Sequence, residues 1–356
     1  MMIDHYSIQK LKNRLGLMAV SMTIVACSTL SYMQSAKANA SGQLHGHTTA
    51  FNSILEQEVS SLSNTFPDVR IALLDANTLF ADVLPGEFSE PVQSCVQGPP
   101  LAPASAPTSI CNNPADYIFF DEVHPTTAAH ERIADVAIAA IDATIPGDVT
   151  ELFIFGDSLS DRGNVFGFSG GTFPFPVAVQ GPLVGEPLYA NGSFTNGPVW
   201  WEFVAEDLGI SDPVAYYENV AAGVFPGSSV GGINFAVGGA TTGTDNAGNA
   251  QNPPFPIALP GLQDQVDAFE TVLGPGGAAN PDALYVVWAG PNDFLGVFLP
   301  EDPANPFAPF EDFTRNPTKP TNNISSAIEK LYALGARNFL VGNMYDLGDT
   351  PLADDL

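Results

Sequence analysis

From residue 41 onward, segments with the hydrophobic pattern of a helix alternate with short, continuously apolar segments. The helical segments repeat apolar side chains every three or four residues and cover residues 47–66, 126–143, 198–209, 262–273 and 323–336. The short apolar segments cover residues 69–76, 151–155, 233–239, 283–290 and 338–343. Apolar strands that alternate with helices form parallel sheets covered on both faces. The pattern therefore predicts a three-layer α/β/α sandwich with a mainly parallel, five-stranded sheet.

Polar residues or glycines follow four of the predicted strands. They are Ser158, Gly239, Asn292 and the acid-rich segment 344–349. In open α/β sheets, ligands bind at the carboxyl ends of the strands, so we expect these residues to line one edge of the sheet. No change in composition and no internal repeat divides the chain after residue 40, which favours a single domain.

The first 40 residues have the features of a secretory signal peptide. A basic flank precedes an apolar segment that begins at Leu15, and a small-x-small sequence ending at Ala40 fits a cleavage site before Ser41. The apolar segment is short for a membrane span. We expect a secreted or periplasmic protein without stable membrane insertion. The sequence Ile24-Val25-Ala26-Cys27 also resembles a lipoprotein signal, so lipid anchoring at Cys27 is the alternative.

The chain is acidic, with 39 acidic and 11 basic residues and a formal net charge of −28. Such a surface repels nucleic acid and anionic lipid headgroups, which argues against a nucleic-acid partner. Hydrophobic residues make up 45% of the chain, enough for a sizeable core and against global disorder. The sequence does not specify an oligomeric state.

Cys95 and Cys111 are the two cysteines after residue 40. An isolated pair in an exported protein is typical of a disulfide, which here would close a proline-rich loop. The absence of a nearby histidine argues against a metal site at either cysteine. His45 and His47, expected in a mobile N-terminal segment, could form a metal pair but lack an obvious carboxylate partner.

Ser158 lies in the sequence Gly156-Asp157-Ser158-Leu159, directly after a predicted strand. A serine hydroxyl becomes a good nucleophile when a base takes its proton. His124 is the candidate base, and Asp121, three residues earlier, can hold its tautomer. Purely structural roles are the alternative, with Ser158 and His124 as helix caps. His130 falls within a predicted helix, which favours a packing or surface role.

Acyl transfer also needs hydrogen-bond donors for the oxyanion. The backbone N–H groups of Ser158 and Gly239 and the side-chain amide of Asn292 would supply three. Glycine turns and Asn-Asp turns are common on their own, so it is their combination that indicates an ester-hydrolysing site. This chemistry requires no cofactor and no metal ion.

Four short sequences, "FGDSLSD", "NFAVGGA", "GPND" and "DEVHPT", resemble the sequence blocks of the GDSL lipases, also called SGNH hydrolases. Two longer ones, "SFTNGPVWWEFVAEDLG" and "ARNFLVGNMYDLGDTPLA", are similar to the secreted lipase/hemolysin-like branch. The resemblance implies a flavodoxin-like fold with Ser158 as nucleophile, His124 as base and Asp121 as its partner. It also implies that Gly239 and Asn292 are oxyanion donors.

The order of the blocks departs from that family, whose members place the Asp-His segment last. Here this segment precedes the serine, which indicates a circular permutation of one SGNH domain over residues 41–356. Residues 41–145 would carry the Asp-His block, and residues 146–356 the Ser, Gly and Asn blocks. Because domain termini usually lie close together, a permuted chain can keep the fold.

These features predict a secreted serine esterase or lipase that hydrolyses carboxylic esters through an acyl-enzyme on Ser158. Acyl lipids or short alkyl and aryl esters are the expected substrates, and the phenylalanines of residues 166–176 suit an acyl-binding wall. A carbohydrate or polymer acetylesterase of the same fold is one alternative. A surface or binding domain that has lost its activity is the other.

Overall fold

A computed structural model describes residues 41–98, 106–223, 231–250, 258–298 and 315–355. The predicted signal peptide, with Cys27, lies outside the described residues, as does the middle of the loop between Cys95 and Cys111.

One six-stranded sheet forms the centre of the molecule, and all of its neighbouring strands are parallel. The strands of the structure, in chain order, are β1 (Arg70–Leu74), β2 (Glu90–Ser94), β3 (Val96–Gln97), β4 (Ser109–Ile110), β5 (Tyr117–Phe119), β6 (Leu152–Gly156), β7 (Val214–Ala215), β8 (Gly232–Asn234), β9 (Leu284–Trp288) and β10 (Asn338–Gly342). Across the large sheet the order is β1-β10-β9-β6-β8-β7, while β2 pairs with β5 and β3 pairs with β4 in two small sheets.

All five predicted strands lie in the large sheet, so the parallel α/β sandwich is confirmed. The sheet has one strand more than the five predicted. The extra strand, β7, contains only two residues and pairs with β8 at the edge. A strand this short produces no hydrophobic pattern, because only its tertiary partner makes it part of the sheet.

Helices flank the sheet. They are α1 (residues 41–65), α2 (Ala76–Thr78), α3 (Leu84–Glu87), α4 (Thr127–Thr144), α5 (Asn164–Phe168), α6 (Trp200–Asp207), α7 (Tyr216–Ala221), α8 (Leu262–Leu273), α9 (Pro291–Phe298), α10 (Thr318–Leu334) and α11 (Pro351–Asp355). A π-helical turn, Leu79–Val83, joins α2 to α3. None of the helices in the described part of the chain combines the length and apolarity needed to cross a bilayer.

The prediction of a mobile segment around His45 and His47 is wrong, because both residues lie in α1. The His45 imidazole pairs with the Asp346 carboxylate, and the His47 ring stacks on Phe294 at a centroid distance of 5.4 Å. These tertiary contacts order a polar segment whose local sequence gives little sign of structure.

The core lies on both faces of the four inner strands β6, β8, β9 and β10, in which every residue is buried. Helices α4 and α6 pack against one another, as do α8 and α10. The Thr126 side chain caps α4 by accepting a hydrogen bond from the Ala129 N–H at 3.3 Å. This cap ties the start of α4 to the loop that carries His124.

The pairing of β1 with β10 brings distant parts of the chain together. Arg70 lies opposite Asn338, in a register that continues to Leu74 and Gly342. Residues 41–52 and 344–348 are also neighbours. The Ser41 hydroxyl donates to the Gly348 carbonyl at 3.0 Å, and the Asn52 side-chain amide donates to the Met344 carbonyl at 2.7 Å.

A disulfide joins Cys95 to Cys111, with Cα atoms 4.8 Å apart. The bridge packs against Phe120 and Tyr189 in a small hydrophobic cluster separate from the main core. Phe120 immediately precedes Asp121, so the disulfide supports the loop that leads to the candidate site.

We expect the double variant Cys95→Ser/Cys111→Ser to lose roughly 3 kcal/mol of unfolding free energy, because an open loop has more conformational entropy in the unfolded chain. Urea titration of the oxidised wild type and the variant measures the difference. Mass spectrometry with and without reduction checks the bridge itself. Two alkylatable thiols in native exported protein would contradict the prediction.

Candidate active site

The serine turn begins where β6 ends. The Gln265 side chain of α8 accepts a hydrogen bond from the Gly156 N–H and donates one to the Gly156 carbonyl, both at 2.8 Å. The carboxylate of Asp157 then accepts from the Leu159 N–H at 3.0 Å. These bonds hold the turn tightly, and the half-buried Ser158 stands at the carboxyl edge of the sheet.

His124 and Asp121 complete a chain of hydrogen bonds with Ser158. The His124 Nε2 atom lies 2.8 Å from the Ser158 hydroxyl oxygen, and the Nδ1 atom lies 2.7 Å from Asp121 Oδ2. The His124 side chain is 15% exposed and that of Asp121 is 4% exposed. The structure therefore brings together the three residues predicted as nucleophile, base and orienting carboxylate.

Several donors keep Asp121 ionised. Burial by itself would raise the pKa of Asp121, but the charge and hydrogen bond of His124, with further bonds from Tyr189 and the Val123 N–H, lower it. An ionised carboxylate can only accept, so Nδ1 of His124 carries the proton and Nε2 is left to accept from Ser158. In this tautomer the imidazole can take the hydroxyl proton of the serine.

Sequence reasoning missed Tyr189. The buried Tyr189 hydroxyl donates to Asp121 Oδ2, and burial together with the Asp121 charge raises the pKa of Tyr189 well above its usual value. The phenol therefore remains a donor at neutral pH. Tyr189 lies in a loop rich in glycine and proline, 68 residues from Asp121, and no local pattern indicates this contact.

The loop that carries His124 is fixed by residues from other parts of the chain. The Tyr345 hydroxyl, after β10, donates to the Val123 carbonyl at 2.7 Å. The Thr195 hydroxyl donates to the Pro125 carbonyl at 2.8 Å. Because the anchors lie on both sides of His124, they limit movement of the imidazole.

Gly239 and Asn292, the other two predicted site residues, lie beyond the ends of β8 and β9. The Asn292 side-chain amide donates to the Ala240 carbonyl at 3.1 Å, so the two turns are in contact. Gly239 has a φ angle of +81°, and a Cβ atom there would lie 2.6 Å from Asn246 Oδ1. Both the backbone conformation and the lack of space therefore require glycine at this position.

Asp161 links the glycine turn to the serine turn. Its Oδ2 atom accepts from the Gly238 N–H at 2.8 Å and from the Val165 N–H at 3.1 Å. In the parallel sheet, β8 and β9 lie on either side of β6. The turns that follow these two strands therefore share one edge of the sheet with Ser158. All five predicted site residues thus belong to one group of connected turns.

His130 is a packing residue. It is buried in α4, and its Nδ1 atom accepts from the Trp200 N–H at 3.3 Å. Burial and the nearby His124 lower the pKa of His130 to about 3, so its ring is neutral at physiological pH. The described residues contain no group of three or more metal-ligating side chains placed to hold a metal ion.

Asp157 and Asp161 are buried carboxyls. Burial raises the pKa of Asp157 to about 7 against the opposing effects of the Leu159 N–H and His124. In the unfolded chain an aspartate has a pKa of about 3.9. The raised pKa therefore adds to the free energy of unfolding. This contribution of Asp157 is fully present below about pH 4 and is lost as pH rises to about 7.

We expect Asp157→Asn to gain stability relative to the wild type as pH rises from about 4 to 8, by on the order of 3 kcal/mol. Asparagine keeps the acceptor for Leu159 but cannot ionise. The contributions of Asp161 and His130 are common to both proteins and cancel in the difference. Urea titrations at several pH values provide the measurement, with the exposed Asp142→Asn as control. Parallel stability curves for the wild type and Asp157→Asn would contradict the prediction.

The architecture and the Ser-His-Asp arrangement define a parallel α/β protein with a hydrolase-type site. The model of the GDSL-like lipase/acylhydrolase family matches residues 152–355, more than half of the chain. The chain belongs to this family.

Curated relatives agree with this membership. A GDSL esterase/lipase of Arabidopsis thaliana is 30% identical over 206 residues, which cover 57% of this chain and 51% of the relative. A phosphatidylcholine-sterol acyltransferase of Aeromonas hydrophila is 26% identical over 204 residues, covering 57% and 47%. A second Arabidopsis thaliana GDSL esterase/lipase is 28% identical over 204 residues, covering 56% and 51%. The chain spans about half the length of these relatives.

Proposed function

We propose that the protein is a serine esterase or lipase that hydrolyses carboxylic esters through an acyl-enzyme. The observation that carries this proposal is the hydrogen-bonded chain from Ser158 through His124 to Asp121, with distances of 2.8 and 2.7 Å. Helix caps, the structural alternative, do not require a half-buried imidazole between a hydroxyl and an ionised carboxylate. Membership of the GDSL-like lipase/acylhydrolase family supports the same reaction class.

In the proposed reaction His124 removes the proton as Ser158 Oγ attacks the ester carbonyl. The resulting oxyanion accepts from the N–H groups of Ser158 and Gly239 and from the Asn292 amide, which carries a second N–H besides the one bonded to Ala240. His124 then gives its proton to the leaving alcohol, which leaves an acyl group on Ser158. Water activated by His124 releases the acid and restores the hydroxyl.

Aromatic rings beside His124 favour an acyl chain as the substrate's apolar part. The rings of His124 and Phe194 have centroids 5.0 Å apart, Phe194 and Phe173 are 5.8 Å apart, and Phe173 and Phe175 are 5.3 Å apart. This wall supports acyl lipids or short alkyl and aryl esters over acetylated carbohydrates, which need polar contacts to sugar hydroxyls. The Aeromonas hydrophila relative, a phosphatidylcholine-sterol acyltransferase, also acts on a lipid.

A serine-reactive phosphonate and a series of p-nitrophenyl esters test the function. We expect labelling at Ser158 and turnover of butyrate or longer esters at least about tenfold faster than acetate, since each added methylene contributes apolar binding. Preference for acetate would favour an acetylesterase. Absence of both labelling and turnover in folded protein would favour a binding domain without activity.

We also propose that the chain is a circular permutation of the family fold. The matched range begins at the first residue of β6 and excludes residues 41–151, which hold His124. Two contacts support the proposal: β1 pairs with β10, and residues 41–52 lie beside 344–348. Both contacts would be neighbours in sequence if the Asp-His block followed residue 356.

Moving residues 41–145 behind residue 356 tests the permutation. We expect the rearranged chain to fold and to hydrolyse esters within about threefold of the wild-type rate, because an active site is defined by geometry and not by chain order. The wild-type chain is the matched control, since the two proteins have the same residues. A rearranged chain that does not fold would count against the proposal.

Export to an oxidising compartment is a further part of the proposal. The basic flank, apolar segment and cleavage-type sequence of residues 1–40 support it. The disulfide between Cys95 and Cys111 also suits such a compartment.

A further inference from the structure

Residues 176–188 form a hairpin-like projection, here called the valine hairpin. Its two arms are joined by hydrogen bonds from the Ala178 N–H to the Glu186 carbonyl at 2.9 Å and from the Leu188 N–H to the Pro176 carbonyl at 3.0 Å. Val177 and Pro187 are bridge partners across the arms. The projection therefore has a defined backbone with two faces.

The inner face of the valine hairpin is buried and the outer face is apolar. Ala178 and Leu188 are 1% and 6% exposed and pack in the cluster that contains Cys95. Alternate residues of a half-buried strand normally place polar side chains in water. Here Val177, Val179 and Val184 are 39%, 46% and 62% exposed.

Exposed apolar side chains are concentrated at this place. Among the described residues, five large hydrophobic side chains are exposed, and three of them belong to the valine hairpin. The other two, Val83 and Val92, lie elsewhere in the sequence. Single exposed valines need no explanation, but three within eight residues form a patch that does.

Both ends of the valine hairpin lead to the candidate site. Tyr189, which donates to Asp121, directly follows Leu188. Phe175 directly precedes Pro176 and is the outer member of the aromatic wall that reaches His124. The valine hairpin therefore begins next to a residue of the aromatic wall and ends next to a residue that contacts Asp121.

The valine hairpin carries little charge. The whole chain carries a formal net charge of −28, but residues 176–188 contain one charged residue, Glu186. A strongly acidic protein is repelled by anionic surfaces. An apolar, nearly uncharged projection fits a surface of neutral or zwitterionic groups.

We propose that the valine hairpin docks the protein on the surface of a neutral or zwitterionic lipid aggregate. Val179 and Val184 enter the interface between water and lipid, and the aromatic wall then receives an acyl chain from the same side. The reaction at Ser158 rests on the proposed function, whereas docking is a separate property of the hairpin.

Sedimentation with phosphatidylcholine vesicles tests the docking. The protein carries Ser158→Ala, so that binding is measured without hydrolysis. We expect Val179→Ser/Val184→Ser to weaken binding at least about tenfold, because two apolar side chains no longer leave water. The matched control Val83→Ser/Val92→Ser removes the same atoms from other exposed valines and should bind like the parent. Equal binding by all three proteins, or no binding by the parent, would overturn the proposal.

Two further measurements exclude other occupants. Binding to phosphatidylglycerol vesicles should be weaker than to phosphatidylcholine vesicles at low salt, and the reverse result would overturn the charge argument. Analytical ultracentrifugation should give the same mass for the parent and the hairpin variant. A dimer that dissociates in Val179→Ser/Val184→Ser would assign the patch to a second copy of the chain and overturn lipid docking.

Hydrolysis separates docking from the proposed function. With Ser158 present, Val179→Ser/Val184→Ser should hydrolyse dissolved p-nitrophenyl butyrate at the wild-type rate but vesicle-borne esters at least about tenfold more slowly. If the wild type and the hairpin variant both hydrolyse the dissolved ester and hydrolyse vesicle-borne esters at equal rates, docking would be overturned and the proposed function would stand. Vesicle binding through the hairpin without any turnover would support docking and defeat the proposed function.

Discussion

Ser158→Ala is expected to reduce the hydrolysis of p-nitrophenyl butyrate by about 10⁴-fold to 10⁶-fold, because the nucleophile of a serine hydrolase cannot be replaced by a methyl group. The variant should keep its fold. The hydroxyl bonds to His124 Nε2, and the turn is held by the backbone contacts of Gly156 and the Asp157 carboxylate. Far-UV circular dichroism and thermal unfolding check the fold, and initial rates check the activity.

Ser326→Ala provides the matched control for Ser158→Ala. Its hydroxyl lies on an exposed part of α10 and donates to the Asn322 carbonyl of the same helix at 2.9 Å. Activity should be unchanged in this variant. If folded Ser158→Ala retained near wild-type turnover while the phosphonate still labelled the protein, the nucleophile would be another residue.

The hydrophobic pattern predicts the strands of the sheet because a strand that is buried on both faces appears as a run of consecutive apolar residues. Strands β6, β9 and β10 are buried at every position, and Asn338 at the start of β10 is the one strongly polar residue among them. Helix boundaries are less accurate. The last long helix begins at Thr318 instead of residue 323, because its first turn has few apolar residues to mark it.

The position of strands in the sheet is not contained in the local pattern. The proposed circular permutation would place β1 beside β10, and the structure has this pairing. By contrast, β7 depends wholly on its partner β8, and the ordered position of His45 depends on Asp346. Such features require knowledge of which distant segments meet.

In the candidate site, too, some residues could be predicted from the local sequence and others depend on contacts with distant segments. Ser158, His124 and Asp121 could be chosen from the sequence because Ser158 follows a predicted strand, Asp121 and His124 are three residues apart, and the short sequences around them resemble known family blocks. Tyr189 could not, because a tyrosine in a loop of glycines and prolines has many possible roles. Its contact with Asp121 depends on the small hydrophobic cluster around the disulfide, in which Tyr189 itself packs.

Asp121→Asn is expected to lower ester hydrolysis by about 10⁴-fold, somewhat less than the loss of the nucleophile. The asparagine amide can donate to His124 Nδ1, which moves the imidazole proton to Nε2. That nitrogen lies 2.8 Å from the serine oxygen and must accept its proton, so the variant would hold the wrong tautomer. The backbone N–H groups of Val123 and His124, which bond to Asp121 Oδ1 at 3.0 and 2.8 Å, can still bond to an amide oxygen.

Tyr189→Phe distinguishes the tautomer effect from general disturbance of the Asp121 pocket. It removes one donor to Asp121 but leaves the carboxylate beside His124, so the loss of activity should be about tenfold to a hundredfold at most, the range of one hydrogen bond to a charged group. Initial rates with p-nitrophenyl butyrate and phosphonate labelling rates, measured from pH 5 to 9, compare the variants. We expect labelling of Ser158 to slow by about 10⁴-fold in Asp121→Asn and by at most about a hundredfold in Tyr189→Phe. Equal losses in the two variants would mean that packing around Asp121, and not its charge, controls the reactivity of the serine.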